Sequence, residues 1–177
     1  LSQGGVVVGF LGGRTVIIKD KEDARRVYDE HYGSFNDQGL LELHGVEAVH
    51  LIDRRKLKVV DAEGRELGIH ELAEYFTKFN PEFWVEYLVY SDLRKRGYVL
   101  KPISGEGATF ALYERGANPD YEPSKYIVYV VREGVKMDFR DLEHISDLAR
   151  RLRKEPILAI VDRQGDIAYY SVSTVSL

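Results

Sequence analysis

The 177-residue sequence contains no cysteine. That excludes disulfide scaffolds, thiolate-bound zinc and a cysteine nucleophile together, and it is compatible with a reducing compartment. No apolar run approaches the ~20 residues of a membrane-spanning helix, so no membrane partner is expected. The opening Leu1-Ser2-Gln3-Gly4-Gly5 lacks the basic and apolar regions of a signal peptide, and a cytoplasmic location is expected; the absence of an initiator Met is what a trimmed chain would show. Methionine occurs once and Asn and Gln are few, while Arg, Glu and Tyr are many, a balance that suggests a thermophile. Neither sign of charge dominates. A net charge of −4 argues against a protein that coats nucleic acid over its whole surface, and leaves room for a local basic patch.

Several motifs are missing as well. There is no Gly-X-Ser-X-Gly elbow for serine hydrolysis. Ser104-Gly105-Glu106-Gly107 lacks the Lys-Ser/Thr ending of a phosphate loop and carries an acid where a phosphate would sit, so it reads as a turn between strands. The histidines are His31, His44, His50, His70 and His144, and none forms a two-histidine helical metal motif with a nearby acid; His44 and His50 are six apart, which is wrong for one helix face. Neither a metal nor a cofactor is expected.

What is present is enough to bury a core. Hydrophobic residues make up 44% and charged residues 31%, as in an ordered protein of one domain or two small ones. Val6–Phe10 and Thr15–Lys19 read as strands joined by a turn at Leu11-Gly12-Gly13-Arg14. Lys21–His31 has helical spacing with Asp20 as its cap, and Tyr32–Asp37 reads as a loop. Leu40–Leu43 and Leu57–Val60 are strand-like; Val46, Val49 and Leu51 share a helix face; Ile69–Phe79 is a helix. Asn80-Pro81 marks a boundary, Pro81 fitting the first turn of a helix that ends at Gly97. Strands follow at Tyr98–Lys101, Thr109–Glu114 and Lys125–Val131, then an amphipathic helix over Asp141–Arg153. A hairpin of Ile157–Val161 and Ile167–Val172 turns at Asp162-Arg163-Gln164-Gly165-Asp166 and closes the chain. The expected fold is α/β, of the α+β kind: an N-terminal mixed α/β domain over 1–80, and a C-terminal domain over 81–177 with a central mixed sheet flanked by helices. Two basic clusters, Arg94-Lys95-Arg96 and Arg150-Arg151 with Arg153-Lys154, sit near helix C-termini, where the dipole favours cations in any case.

Taken in order, longer stretches resemble one family. Tyr87-Leu88-Val89-Tyr90-Ser91-Asp92-Leu93-Arg94-Lys95-Arg96-Gly97-Tyr98, then Phe110-Ala111-Leu112-Tyr113-Glu114-Arg115-Gly116, then Ser124-Lys125-Tyr126-Ile127-Val128, then Arg153-Lys154 through Ile157–Asp162 with Gly165-Asp166 and Tyr169-Tyr170 resemble consecutive blocks of the archaeal tRNA-splicing endonucleases. The blocks cover roughly residues 82–172. The N-terminal half is similar more loosely, through Tyr32-Gly33, Leu41-Glu42-Leu43 and Glu47-Ala48.

The resemblance implies a nuclease-like C-terminal domain and a metal-free cleavage of pre-tRNA at bulge-helix-bulge motifs, leaving 2′,3′-cyclic phosphate and 5′-hydroxyl ends. In such a site a tyrosine takes the ribose 2′-hydroxyl proton, a histidine protonates the leaving 5′-oxygen and a lysine stabilises the developing charge. Tyr113 matches the tyrosine and Lys154 the lysine. The histidine falls on Pro123, which can be neither acid nor base. A family arginine that helps clamp a flipped base falls on Asp147. Arg115, Arg150 and Arg153 are the candidate RNA contacts. Asp162 and Asp166 occupy a hairpin that, in the family, inserts into a neighbouring subunit, and Ile167 and Tyr169 lie on a last strand expected to pair with a partner. The implied role is the structural subunit of a heterotetramer whose catalytic subunit belongs to the same family, acting on pre-tRNA. Two alternatives stand beside it: an active nuclease subunit using Tyr113 and Lys154 with another acid, and a free RNA-binding or scaffold module.

Overall fold

Strict alternation builds the first sheet. In β2 (Thr15–Ile18), β4 (Leu41–His44) and β5 (Leu57–Val60), and in the first half of β1 (Val7–Gly12), every second residue is buried, so one face carries Val16, Ile18, Leu41, Leu43, Leu57 and Val59 into the core. The computed structural model describes residues 5–104, 107–175 and 177. The turn expected at Ser104-Gly105-Glu106-Gly107 lies partly, and Leu1-Ser2-Gln3-Gly4 wholly, outside the described residues. The contacts divide the chain into two units, Leu1–Tyr87 and Leu88–Leu177, with helix α4 (Phe83–Lys95) carrying the chain from one to the other.

The first unit has a six-stranded mixed sheet in the order β3-β4-β2-β1-β5-β6, in which only β1 and β5 run parallel. Two of these strands, β3 (Ser34–Phe35) and β6 (Glu66–Leu67), were not expected; β3 lies in what the sequence reads as a loop. Each has two residues and no apolar run to announce it. Both lie at sheet edges, where brevity limits edge-to-edge association. Helix α1 (Lys21–Asp29) starts where Asp20 accepts from the Asp23 N–H at 2.9 Å, as its capping position predicts. Helix α2 (Gly45–Asp53) is buried along most of its length, and α3 (Ile69–Thr77) packs against it. His50 is buried in α2 beside the Tyr32 ring, and His44 caps the same helix through Nδ1.

The second unit has a five-stranded mixed sheet ordered β11-β10-β9-β8-β7, comprising β7 (Val99–Pro102), β8 (Phe110–Tyr113), β9 (Tyr126–Arg132), β10 (Glu155–Val161) and β11 (Ile167–Ser171). Only β9 and β10 are parallel; α5 (Phe139–Leu152) makes their crossover. The central strand β9 has no polar face: Ile127, Val128 and Tyr129 are all buried. Ile127, Tyr129 and Leu158 pack with Ile145, Leu148 and Ala149 of α5. Phe110, paired with Val128, meets Tyr90 of α4 on the opposite face, ring centroids 5.7 Å apart. The sheet is therefore sandwiched between α4 and α5. Gly97 (φ +92°) ends α4, with the Tyr98 N–H returning to the Leu93 carbonyl at 3.1 Å.

Candidate functional site

The sheet register brings Tyr113, Lys125 and Lys154 into one row. Leu112 of β8 pairs with Tyr126 of β9, and Tyr126 pairs with Glu155 of β10. One step beyond that row stand Tyr113, Lys125 and Lys154. Backbone bonds hold the step: Lys125 N–H to the Leu112 carbonyl at 3.1 Å, and Glu155 N–H to the Lys125 carbonyl at 3.0 Å. Residues 154 and 113, 41 apart in the chain, thus stand at the same end of the sheet with Lys125 between them, because β9 lies between β8 and β10.

Lys154 is placed by the end of α5. Arg153 takes a left-handed conformation (φ 55°), and the Lys154 N–H returns to the Ala149 carbonyl at 2.8 Å. This is the hydrogen-bond pattern that glycine usually serves, here carried by an arginine. The half-buried Lys154 then sends its ammonium to the backbone carbonyl of Ser124. Lys125 is also engaged: its Nζ lies 2.9 Å from Glu114 Oε1, and that hydrogen bond raises the lysine pKa above its ordinary value.

The phenol of Tyr113 is half-buried. Burial pushes its pKa above 10.0, and the charge of Asp120 pushes in the same direction. Both effects favour the neutral phenol, the form that cannot take a proton. Pro123 is exposed in the loop that precedes β9. His144, the one histidine of the second unit, lies on the outer face of α5, where it lines a shallow cleft with Asp147, Arg150 and Arg151.

The candidate RNA contacts are spread around this end. Arg115 is stacked over the Tyr98 ring, 4.9 Å from its centroid. Arg150 is drawn to Asp147 at 3.3 Å and donates to Thr174 Oγ1 at 3.3 Å; both members of that ion pair are well exposed, so it contributes little stability. Arg153 is exposed at the helix cap. Among the described residues no group of three His, Cys, Asp or Glu side chains could hold a metal ion, and no helix is long and apolar enough to cross a membrane.

The expected interface residues separate by contact. Asp162 accepts from the N–H groups of Gln164 and Asp166, each at 2.9 Å, so its carboxylate builds the turn. Asp166 is exposed. Tyr169 faces α4 and donates its hydroxyl to Asp92 Oδ2 at 2.7 Å, while Arg96 pairs with the same carboxylate at 3.0 Å. Burial and the Asp92 charge raise the Tyr169 pKa. Ile167 is half-buried, and Tyr170 of the same strand points to the other side, 53% exposed. Asp92, Asp120 and the Ser124 carbonyl were not singled out from sequence. The long-range tie between Tyr169 and Asp92 has no local signal, and Asp120 sits in an acidic loop that reads as ordinary solvated surface.

Comparison with known proteins gives consistent matches along nearly the whole chain. A family profile described as the tRNA intron endonuclease, catalytic C-terminal domain, matches residues 83–169. One described as the tRNA intron endonuclease, N-terminal domain, matches residues 7–73. The chain is 33% identical to a tRNA-splicing endonuclease of Thermococcus onnurineus, covering 93% of this chain and 94% of the relative. It is 37% identical to that of Pyrococcus furiosus, covering 83% and 90%, and 37% identical to that of Hyperthermus butylicus, covering 85% and 87%.

Proposed function

The chain belongs to the tRNA intron endonuclease family, and from that premise we propose that it is the structural subunit of a heterotetrameric tRNA-splicing endonuclease. It holds a catalytic chain of the same family in place, so that the complex excises introns from pre-tRNA at bulge-helix-bulge motifs in the cytoplasm. The products carry 2′,3′-cyclic phosphate and 5′-hydroxyl ends.

The observation that carries this reading is Pro123 where the family resemblance places the general acid. In-line attack by a 2′-hydroxyl needs one group to take a proton, one to give a proton and a cation on the phosphate. The first role is opposed here by the raised pKa of Tyr113. The second has no group at 123. The third is weakened because Lys154 is turned to the Ser124 carbonyl. Asp147, replacing a clamp arginine, repels the RNA that the arginine would stack against. The exposed outer edge of β11 supports the assembly role, since an unpaired strand edge is suited to pairing with a partner's strand; Asp162, Asp166, Ile167 and Tyr169 lie along that hairpin.

The test is the purified chain with labelled pre-tRNA in EDTA, alone and mixed with a family member that keeps the histidine. Cleavage at both intron boundaries is expected only in the mixture. Robust cleavage by this chain alone would favour the second reading, an active subunit that uses Tyr113 and Lys154 with another acid, for which their shared row at the sheet end is the supporting observation.

A further inference from the structure

Building on the reading that this centre no longer cuts RNA, we propose that its own connecting loop locks it: Glu114 and the Ser124 carbonyl engage Lys125 and Lys154, Asp120 adds negative charge near Tyr113, and together they exclude an RNA phosphate, so that Pro123→His alone does not restore cleavage.

The loop from Glu114 to Lys125 joins β8 to β9 and is closed on itself. The Tyr121 and Glu122 N–H groups return to the Asn118 carbonyl at 3.0 and 2.9 Å. Glu122 Oε1 accepts from the Asn118 N–H at 3.0 Å, and Asn118 Oδ1 accepts from the Asp120 N–H at 3.0 Å. Pro119 lies within this turn and Pro123 follows it, and both restrict it further. The Asn118–Glu122 part of the loop, which carries Asp120, is therefore held in one arrangement.

The constellation around the two lysines is the wrong one for an anion. Both ammonium groups of the row already have an acceptor: Lys154 has the Ser124 carbonyl, and Lys125 has Glu114. A phosphoryl group gains from cations that are aimed at it beforehand and owe nothing to another acceptor. Here it would have to displace both contacts while approaching Glu114 and Asp120. The charge of Asp120 acts a second time on Tyr113, disfavouring the phenolate. A histidine at 123 would supply a proton donor and alter none of these contacts.

The test uses the full chain with labelled bulge-helix-bulge RNA in EDTA, comparing Pro123→His with Pro123→His/Glu114→Gln/Asp120→Asn. RNA affinity is measured at two salt concentrations for the parent and for Glu114→Gln/Asp120→Asn. Pro123→His is expected to cleave no faster than the parent, and the triple variant at least about tenfold faster than Pro123→His, within the range that proton-transfer groups contribute. Removing the two carboxylates is expected to tighten RNA binding about threefold or more and to steepen its salt dependence. The lock is overturned if Pro123→His alone cleaves as fast as the triple variant. It is overturned equally if the carboxylate variant, with an unchanged melting curve, binds RNA as the parent does. Cleavage by Pro123→His with an inert parent would sink the lock and leave the structural-subunit reading standing; cleavage by the unaltered chain would sink both.

Discussion

At the turn between β10 and β11, two carboxylates four residues apart do different things. Asp162 accepts two backbone N–H groups and closes the hairpin, whereas Asp166 is exposed. The side chains read alike in sequence, because Asp-x-x-Gly-Asp is both ordinary turn chemistry and an acidic interface loop. Asp162→Ala is expected to destabilise the isolated chain by about 1–2 kcal/mol through the lost turn bonds, and Asp162→Asn to retain most of that stability. Asp166→Ala is expected to leave the melting curve unchanged and to weaken assembly with the catalytic chain. Urea unfolding and light scattering after gel filtration separate the two. Equal effects of Asp162→Ala and Asp166→Ala on folding would contradict this division. The same limit applied to the candidate centre. The row of Tyr113 and Lys154 was legible through the resemblance, but the Asp120 charge and the Ser124 carbonyl were not, because a backbone acceptor leaves no mark in the residue alphabet.

The elements show why sequence boundaries drift by a few residues. The helix expected from Asp141 begins at Phe139, because Asp138 accepts from the Arg140 and Asp141 N–H groups at 2.8 and 3.1 Å while the Asp141 carboxylate accepts from the Asp138 N–H at 2.8 Å. This reciprocal cap starts the helix before its apolar stripe does. The strand expected from Ile157 begins at Glu155. Pro156 has no N–H to give, yet its carbonyl accepts from the Val172 N–H at 3.2 Å, and Glu155 supplies the bond to β9. Helix α5 connects β9 to β10 and its last turn sets Lys154. Asp138→Ala should therefore lower the stability of the second unit by about 1 kcal/mol, read by hydrogen exchange across residues 126–161. Protection unchanged in that segment would show that packing of Ile145, Leu148 and Ala149 alone fixes the helix.

For the whole molecule, the order of the longer elements was legible, while the two-residue β3 and β6 and the strand order were not. Every strand of five or more residues matches an apolar, β-branched or aromatic run, and the expected α+β fold is the one present. Which strands are neighbours depends on pairings such as β1 with β5 and β9 with β10, set by helices that must cover the sheet rather than by any local pattern. The sheet of the second unit ends in β11, whose outer edge pairs with no strand among the described residues. As the proposed structural subunit, this unit would contribute its edge and hairpin to a splicing complex and contribute no chemistry. The most direct measurement is single-turnover cleavage by the complex reconstituted with Tyr113→Phe/Lys154→Ala in this chain, with assembly verified by light scattering. Cleavage at both boundaries within about threefold of the unaltered complex is the predicted result, since neither side chain acts. A loss of about 10²-fold or more in the chemical step, with the complex intact, would mean that these residues still work.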